Sequence, residues 1–184
     1  TAGRQKITPP DPEVPQDTEA AAFFDVDNTL IQGSSLILLA QGLFKKRFIT
    51  LSELAPALRK QIRYRVSGSE NADDIAEGRE QALAIVKGKS VEELKQACRE
   101  IVDNRMLQKS YADTIELASM HLAAGQQVWL VSATPVQIGQ ALAETLGFTG
   151  ALGTVAEEED GKFTGRLVGD ILHGPGKKHA VAAL

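Results

Sequence analysis

The first sustained apolar run of the chain, "AAAFFDV" from Ala20 to Val26, is short, lacks helical spacing and ends among acids. It predicts a buried β-strand over Ala21 to Phe24. Ahead of it, "TAGRQKITPPDPEVPQDTE" is polar and proline-rich with no apolar core, so residues 1–19 are expected to form a flexible leader. From Ser34 to about Ala124 apolar positions recur at helical spacing in "SSLILLAQGLFKKRF", "TLSELAPALRKQIRYRV", "ADDIAEGREQALAIV", "SVEELKQACREIVDNRM" and "YADTIELASMHLAAG". Ser35, Ser52 and Ser90 are the cap candidates. Glu93 stands three places after Ser90, as in a capping box, and Gly125 suits the end of the last helix.

The pattern then changes again. "QQVWLVSATP" is continuously apolar from Val128 to Val131, as in a strand buried on both faces, and Pro135 is placed to open the helix "VQIGQALAETLG". In "ALGTVAEEEDGKFTGRLVG" two short strand-like runs flank Asp160-Gly161, a strong hairpin dipeptide, with "EEED" as a solvated tip. "GPGKKHAVAAL" reads as a glycine-rich loop entering a helix. The order strand, helical block, strand, helix, hairpin, helix is that of an α/β fold with a helical insertion behind its first strand.

Composition narrows the function. With 184 residues, 43% of them apolar, the chain is long enough for one domain plus a sizeable insertion. A net charge of -4 gives no footprint for nucleic acid or an anionic membrane. The longest apolar run, "SSLILLAQGLF", is interrupted by Gln41 and Gly42 and falls short of the roughly 20 residues of a membrane helix. A single cysteine, Cys98, allows no internal disulfide and fits a cytoplasmic location.

The candidate chemistry lies at the strand ends. Ligands of open α/β sheets bind beyond the carboxyl ends of the strands, where Asp25 and Asp27 fall. Two like charges so close are costly to ionise together, which suits two carboxylates with different tasks. The second strand ends in "SAT", offering the Ser132 and Thr134 hydroxyls, and "GPGKK" delivers a lysine to a helix start, a favourable place for an anion. Two acids, a hydroxyl and a lysine are the parts of a phosphate-handling site. A calcium loop of the EF-hand kind is excluded, because Leu30 and Leu36 stand where glycine and glutamate are needed. His121, His173 and His179 lack metal-ligand spacing, and Trp129 is expected in the core.

At these residues the sequence resembles the haloacid dehalogenase superfamily, whose first motif, Asp-x-Asp-x-Thr after a strand, is matched by "DVDNT". Its second motif is matched by "VWLVS" with Ser132, and its third by Lys177 in "GPGKKHAV", with Val181 four places on. The helical insertion and the hairpin make it look most like the phosphoserine phosphatase branch. The resemblance implies a Rossmann-like parallel-sheet core formed by residues 20–33 and 113–184, a helical cap at 34–112 and a small β-hairpin. It implies a phosphomonoester hydrolase acting on a small phosphorylated metabolite through an aspartyl phosphate. Asp25 would be the nucleophile and Asp27 the proton carrier; Ser132, Lys177 and Thr29 would serve the phosphate. Mg²⁺ would be held by Asp25 and Asp27. Further ligands are expected beyond Leu184 from the fourth, acidic motif, so the core is expected to be incomplete at its C-terminus. Where phosphoserine phosphatases grip the substrate amine with a glutamate and its carboxylate with a cap arginine, this chain offers Ser34 and, near Ala82, Arg79. A non-catalytic phospholigand-binding remnant and a phosphotransferase with a non-water acceptor remain the alternatives; the oligomeric state is open.

Overall fold

The computed structural model describes residues 17–53, 80–172 and 174–184. Most of the expected leader, much of the two middle helical runs of the cap, Arg79 and His173 lie outside them.

Strand β1 (Ala21–Asp25) includes Asp25 as its last residue, one place further than the sequence pattern predicts. It pairs in parallel with β2 (Gln127–Pro135), Asp25 standing opposite Val131, and β2 pairs in parallel with β3 (Gly150–Thr154). The described sheet therefore runs β1-β2-β3. This is the α/β core expected, with one strand more than the sequence reading resolved. The run "ALGTVAEEED" divides: its first half joins the parallel sheet, and only β4 (Ala156–Glu159) belongs to the hairpin, paired with β5 (Lys162–Leu167). The glycines of "GALGT" hide the strand, yet they are what it needs. A Cβ at Gly150 would meet the Trp129 ring at 2.6 Å, and one at Gly153 would meet the Val136 Cα at 2.7 Å.

Two further expectations are corrected. β2 extends to Pro135, so this proline closes the strand and precedes helix α4 rather than filling its first turn. Trp129 is half-buried, not core, with its indole N–H donated to Gln127 Oε1 at 2.8 Å.

The helices follow the apolar spacing. Helix α1 (Ser35–Lys45) is capped by Ser34, whose hydroxyl accepts the Ile37 N–H, rather than by Ser35. At 50–53 the capping hydroxyl belongs to Thr50, which accepts the Glu53 N–H at 3.4 Å, and not to Ser52. Helix α2 (Val91–Ile101) is capped by Ser90 as expected, the Glu93 N–H donating to the Ser90 hydroxyl at 3.3 Å. Its buried stripe of Val91, Leu94, Ala97, Cys98 and Ile101 is the 3.6-residue period made physical. A π-helical turn (Val102–Met106) and a short 3-10 turn (Leu107–Lys109) return the chain to helix α3 (Ala112–Ala123). Helix α4 (Val136–Leu146) covers β2 and β3 and ends on Gly147 at φ 70°. Helix α5 (Pro175–Ala182) carries proline at its start.

The insertion leaves and re-enters at one place. The Tyr111 N–H donates to the Leu30 carbonyl at 2.9 Å, and the Gln32 N–H to the Lys109 carbonyl at 2.8 Å. The hairpin turns on Asp160 and Gly161, both at positive φ, the geometry that matches strand twist. It docks on the helical block: the Gly88 N–H donates to the Phe163 carbonyl at 2.8 Å and the Phe163 N–H to the Lys89 carbonyl at 3.1 Å. One apolar cluster, including Val26, Leu30, Ile101, Val128, Leu130 and Leu142, joins sheet, insertion and α4. Among the described residues no helix is long and apolar enough to cross a membrane.

Candidate active site

The turn behind β1 is wound around a single carbonyl. Val26 accepts from the N–H groups of Leu30 at 3.0 Å and Ile31 at 2.9 Å, while the side chains of all three are fully buried. Burial of this apolar set leaves the intervening acids, Asp25 and Asp27, on the half-exposed side. The reversal requires Asn28 at φ 57°, a left-handed conformation that asparagine tolerates, and the Asn28 side-chain oxygen accepts the Gly33 N–H at 3.0 Å.

Asp25 receives the ammonium of Lys177 on Oδ1, although the two residues come from opposite ends of the described chain. Lys177 reaches it from the first turn of α5, so the expected lysine is the one placed at the acid. Asp27 is held differently. Its Oδ1 accepts the backbone N–H of Ser35 at 2.9 Å and also the Ser35 hydroxyl, which is fully buried.

Ser132 lies on β2 one residue beyond the partner of Asp25, hence at the same edge of the sheet. Its hydroxyl is buried and lies 2.8 Å from the Thr134 hydroxyl, and it accepts the Thr134 N–H at 3.2 Å. These bonds set the chain end of β2, rather than capping α4 as an isolated serine would. Thr29 is tied through its carbonyl, to which the Thr114 hydroxyl donates at 2.7 Å. Ser34 serves as the α1 cap, next to the residue that holds Asp27.

Two participants escape the sequence reading. Ser35 is one; the sequence offered it only as the cap of α1, a task that falls to Ser34. Thr154 is the other. At the end of β3 it donates to the Ala133 carbonyl at 2.7 Å and accepts the Leu172 N–H at 3.2 Å, tying the segment ahead of α5 to the end of β2. Its signal was hidden with β3 itself.

Acids, hydroxyls and an ammonium thus gather at the carboxyl edge of a parallel sheet, where such folds bind ligands. A chain-wide family model for haloacid dehalogenase-like hydrolases matches residues 22–184. The chain belongs to the haloacid dehalogenase-like hydrolase family. A Mycobacterium tuberculosis protein named phosphoserine phosphatase SerB1 is 51% identical over 95% of this chain and 56% of its own length. A putative hydrolase of Mycobacterium leprae is 49% identical over 94% of this chain and 58% of its own length. The chain therefore spans little more than half of these relatives. Among solved structures, a Bordetella pertussis protein of unknown function superposes with a TM-score of 0.73 at 25% identity, covering 90% of this chain and 73% of that one. A phospho-aspartyl intermediate analogue of phosphoserine phosphatase shares the fold, with a TM-score of 0.55 at 19% identity, covering 90% of this chain and 70% of that one.

For a divalent cation, the donors of this haloacid dehalogenase-like chain are hard oxygens, which suit Mg²⁺. No group of three or more acidic, histidine or cysteine side chains gathers among the described residues. That set still fits Mg²⁺, which is commonly held by one or two carboxylates together with a substrate phosphate.

Proposed function

We propose that the protein is a Mg²⁺-dependent phosphomonoester hydrolase of the phosphoserine-phosphatase type, cytoplasmic, acting on a small phosphorylated metabolite. The observation that carries this reading is the Lys177 ammonium seated on the Asp25 carboxylate at the strand edge of a haloacid dehalogenase-like fold. A cation there draws the phosphoryl group onto the acid that attacks it and shares the charge of its equatorial oxygens.

Asp25 attacks phosphorus and forms an aspartyl phosphate, which divides hydrolysis into two displacements. Asp27 protonates the departing alcohol oxygen and then takes a proton from the water that releases phosphate. Ser132 and Lys177 hold the phosphoryl oxygens, and Thr29 supports the loop. Asp25 and the backbone of Asp27 would hold Mg²⁺. When bound, the ion neutralises phosphate charge. Residues 20–33 and 113–184 form the core in this reading, with 34–112 as the cap; the side-by-side passage of Leu30–Gln32 and Lys109–Tyr111 supports that division. Ser34 and Arg79 would face the substrate from the cap side. Serine at position 34 offers no charge to a substrate amine, so phosphoserine itself is not the expected best substrate.

The test is turnover of a phosphomonoester panel by the full-length protein, with Mg²⁺ or with EDTA. Metal-dependent release of phosphate is expected. Silence across the panel with retained phosphoester binding would replace this reading with a binding remnant, and transfer to added alcohol in preference to water would make it a phosphotransferase.

A further inference from the structure

We propose that Ser35 is a positioning residue that aims the carboxyl of Asp27 at the leaving group, an inference that rests on the phosphatase reading above. Ser35 is the first residue of α1, yet it does not cap that helix; Ser34 does. Its side chain is fully buried and its hydroxyl is donated to Asp27 Oδ1, the same atom that takes its backbone N–H at 2.9 Å. Two donors from one rigid helix start thus converge on one oxygen. Among the described residues, Asp27 Oδ2 has no hydrogen-bond partner.

That asymmetry matches a proton donor. A carboxyl free to rotate presents either oxygen; a carboxyl pinned at Oδ1 presents Oδ2 alone, in a fixed direction. In the first displacement the bond from Asp25 to phosphorus forms and the bond from phosphorus to the leaving oxygen breaks. The electron pair stays on that oxygen, which takes the proton from Asp27 Oδ2. Negative charge then spreads over the Asp27 carboxylate, and the two donors on Oδ1 are already in place to stabilise it. Ser35 touches neither substrate nor phosphate and acts wholly through Asp27.

A leaving group that needs the proton should feel the loss of Ser35, and one that does not should be indifferent. The experiment compares kcat/KM for an alkyl phosphomonoester, glycerol phosphate, with that for p-nitrophenyl phosphate, whose phenolate departs unaided. It uses the full-length protein and its Ser35→Ala and Ser35→Thr variants, with thermal midpoints recorded alongside. Ser35→Ala is expected to lose about tenfold or more on the alkyl ester and less than about threefold on the aryl ester, within the range that general acid catalysis supplies. Ser35→Thr keeps the hydroxyl and is expected to hold the ratio of the two values near wild type, even where crowding lowers both. Equal losses on both esters in Ser35→Ala, or a shifted ratio in Ser35→Thr, would overturn the role of Ser35 and leave the phosphatase reading standing. A wild-type protein inactive on both esters would sink that reading, and this inference with it.

Discussion

Lys177 and Asp25 stand 152 positions apart in the chain and form an ion pair at the carboxyl edge of the parallel sheet. The side chains remain 32% and 42% exposed, so the pair contributes about 0–1 kcal/mol to stability at most. Its value lies in the charge delivered to the acid. Lys177→Met is expected to lower kcat/KM by about 10²–10³-fold, the usual loss for one donor at a developing charge, while the thermal midpoint hardly moves. Steady-state kinetics and calorimetry on the same variant check both halves.

Asp25→Asn removes the nucleophile while preserving shape. Turnover should fall by at least about 10³-fold, the scale for loss of an attacking group, with an unchanged circular dichroism spectrum. Persistent activity would end the assignment of Asp25.

Gly153 sets a limit of packing beside the site. A Cβ there would lie 2.7 Å from the Val136 Cα and 2.9 Å from the Thr134 carbonyl, both backbone atoms that cannot swing aside. Gly153→Ala should cost about 1–3 kcal/mol by overpacking. Gly150→Ala, whose nearest neighbour is the ring of half-buried Trp129, should cost less. Urea unfolding of the two variants would rank them; equal stability would refute the distinction.

Glu53, in the turn that opens at Thr50, is paired with Lys89 at 2.9 Å. Hydrogen bonding to Lys89, then to Thr50, lowers its carboxyl from 4.5 to about 2. Because the folded value is the depressed one, the stabilisation is complete above about pH 4.5 and is lost as pH falls toward 2. Glu53→Gln should therefore flatten the acid side of the stability curve between these values and lower stability at neutral pH. A curve parallel to wild type in acid would contradict the assignment.

Cys98 is fully buried in the α2 stripe, and burial pushes its thiol up to about 12. It should resist thiol reagents at pH 8 in the native state and react at once on unfolding. Native-state labelling as fast as that of a free thiol would show that α2 opens readily.

The legible features were those that depend on neighbours in the chain. Ser90 and Gly147 bound helices where the sequence places them, because a cap acts over three or four residues. The Asp160-Gly161 turn is local for the same reason. Capping at α1 went one residue astray, since Ser34 and Ser35 have the same cap preference. Only the contact with Asp27, made across the turn behind β1, separates their tasks. Strand β3 was unreadable because its glycines answer the Trp129 ring and the Val136 backbone, which lie far away in sequence.

By itself the sequence determined the alternation of strands and helices and the place of the insertion, since periodicity and short-range spacing are properties of the chain alone, and its resemblance to the family's motifs singled out Asp25, Asp27, Ser132 and Lys177. Tertiary structure decided which oxygen of each acid is engaged and by what: Lys177 on Asp25, Ser35 on Asp27, and Thr154 tying the approach to α5 onto β2. Those pairings arise only when parallel strands bring their carboxyl ends to one edge, and no local pattern encodes how segments far apart will meet there.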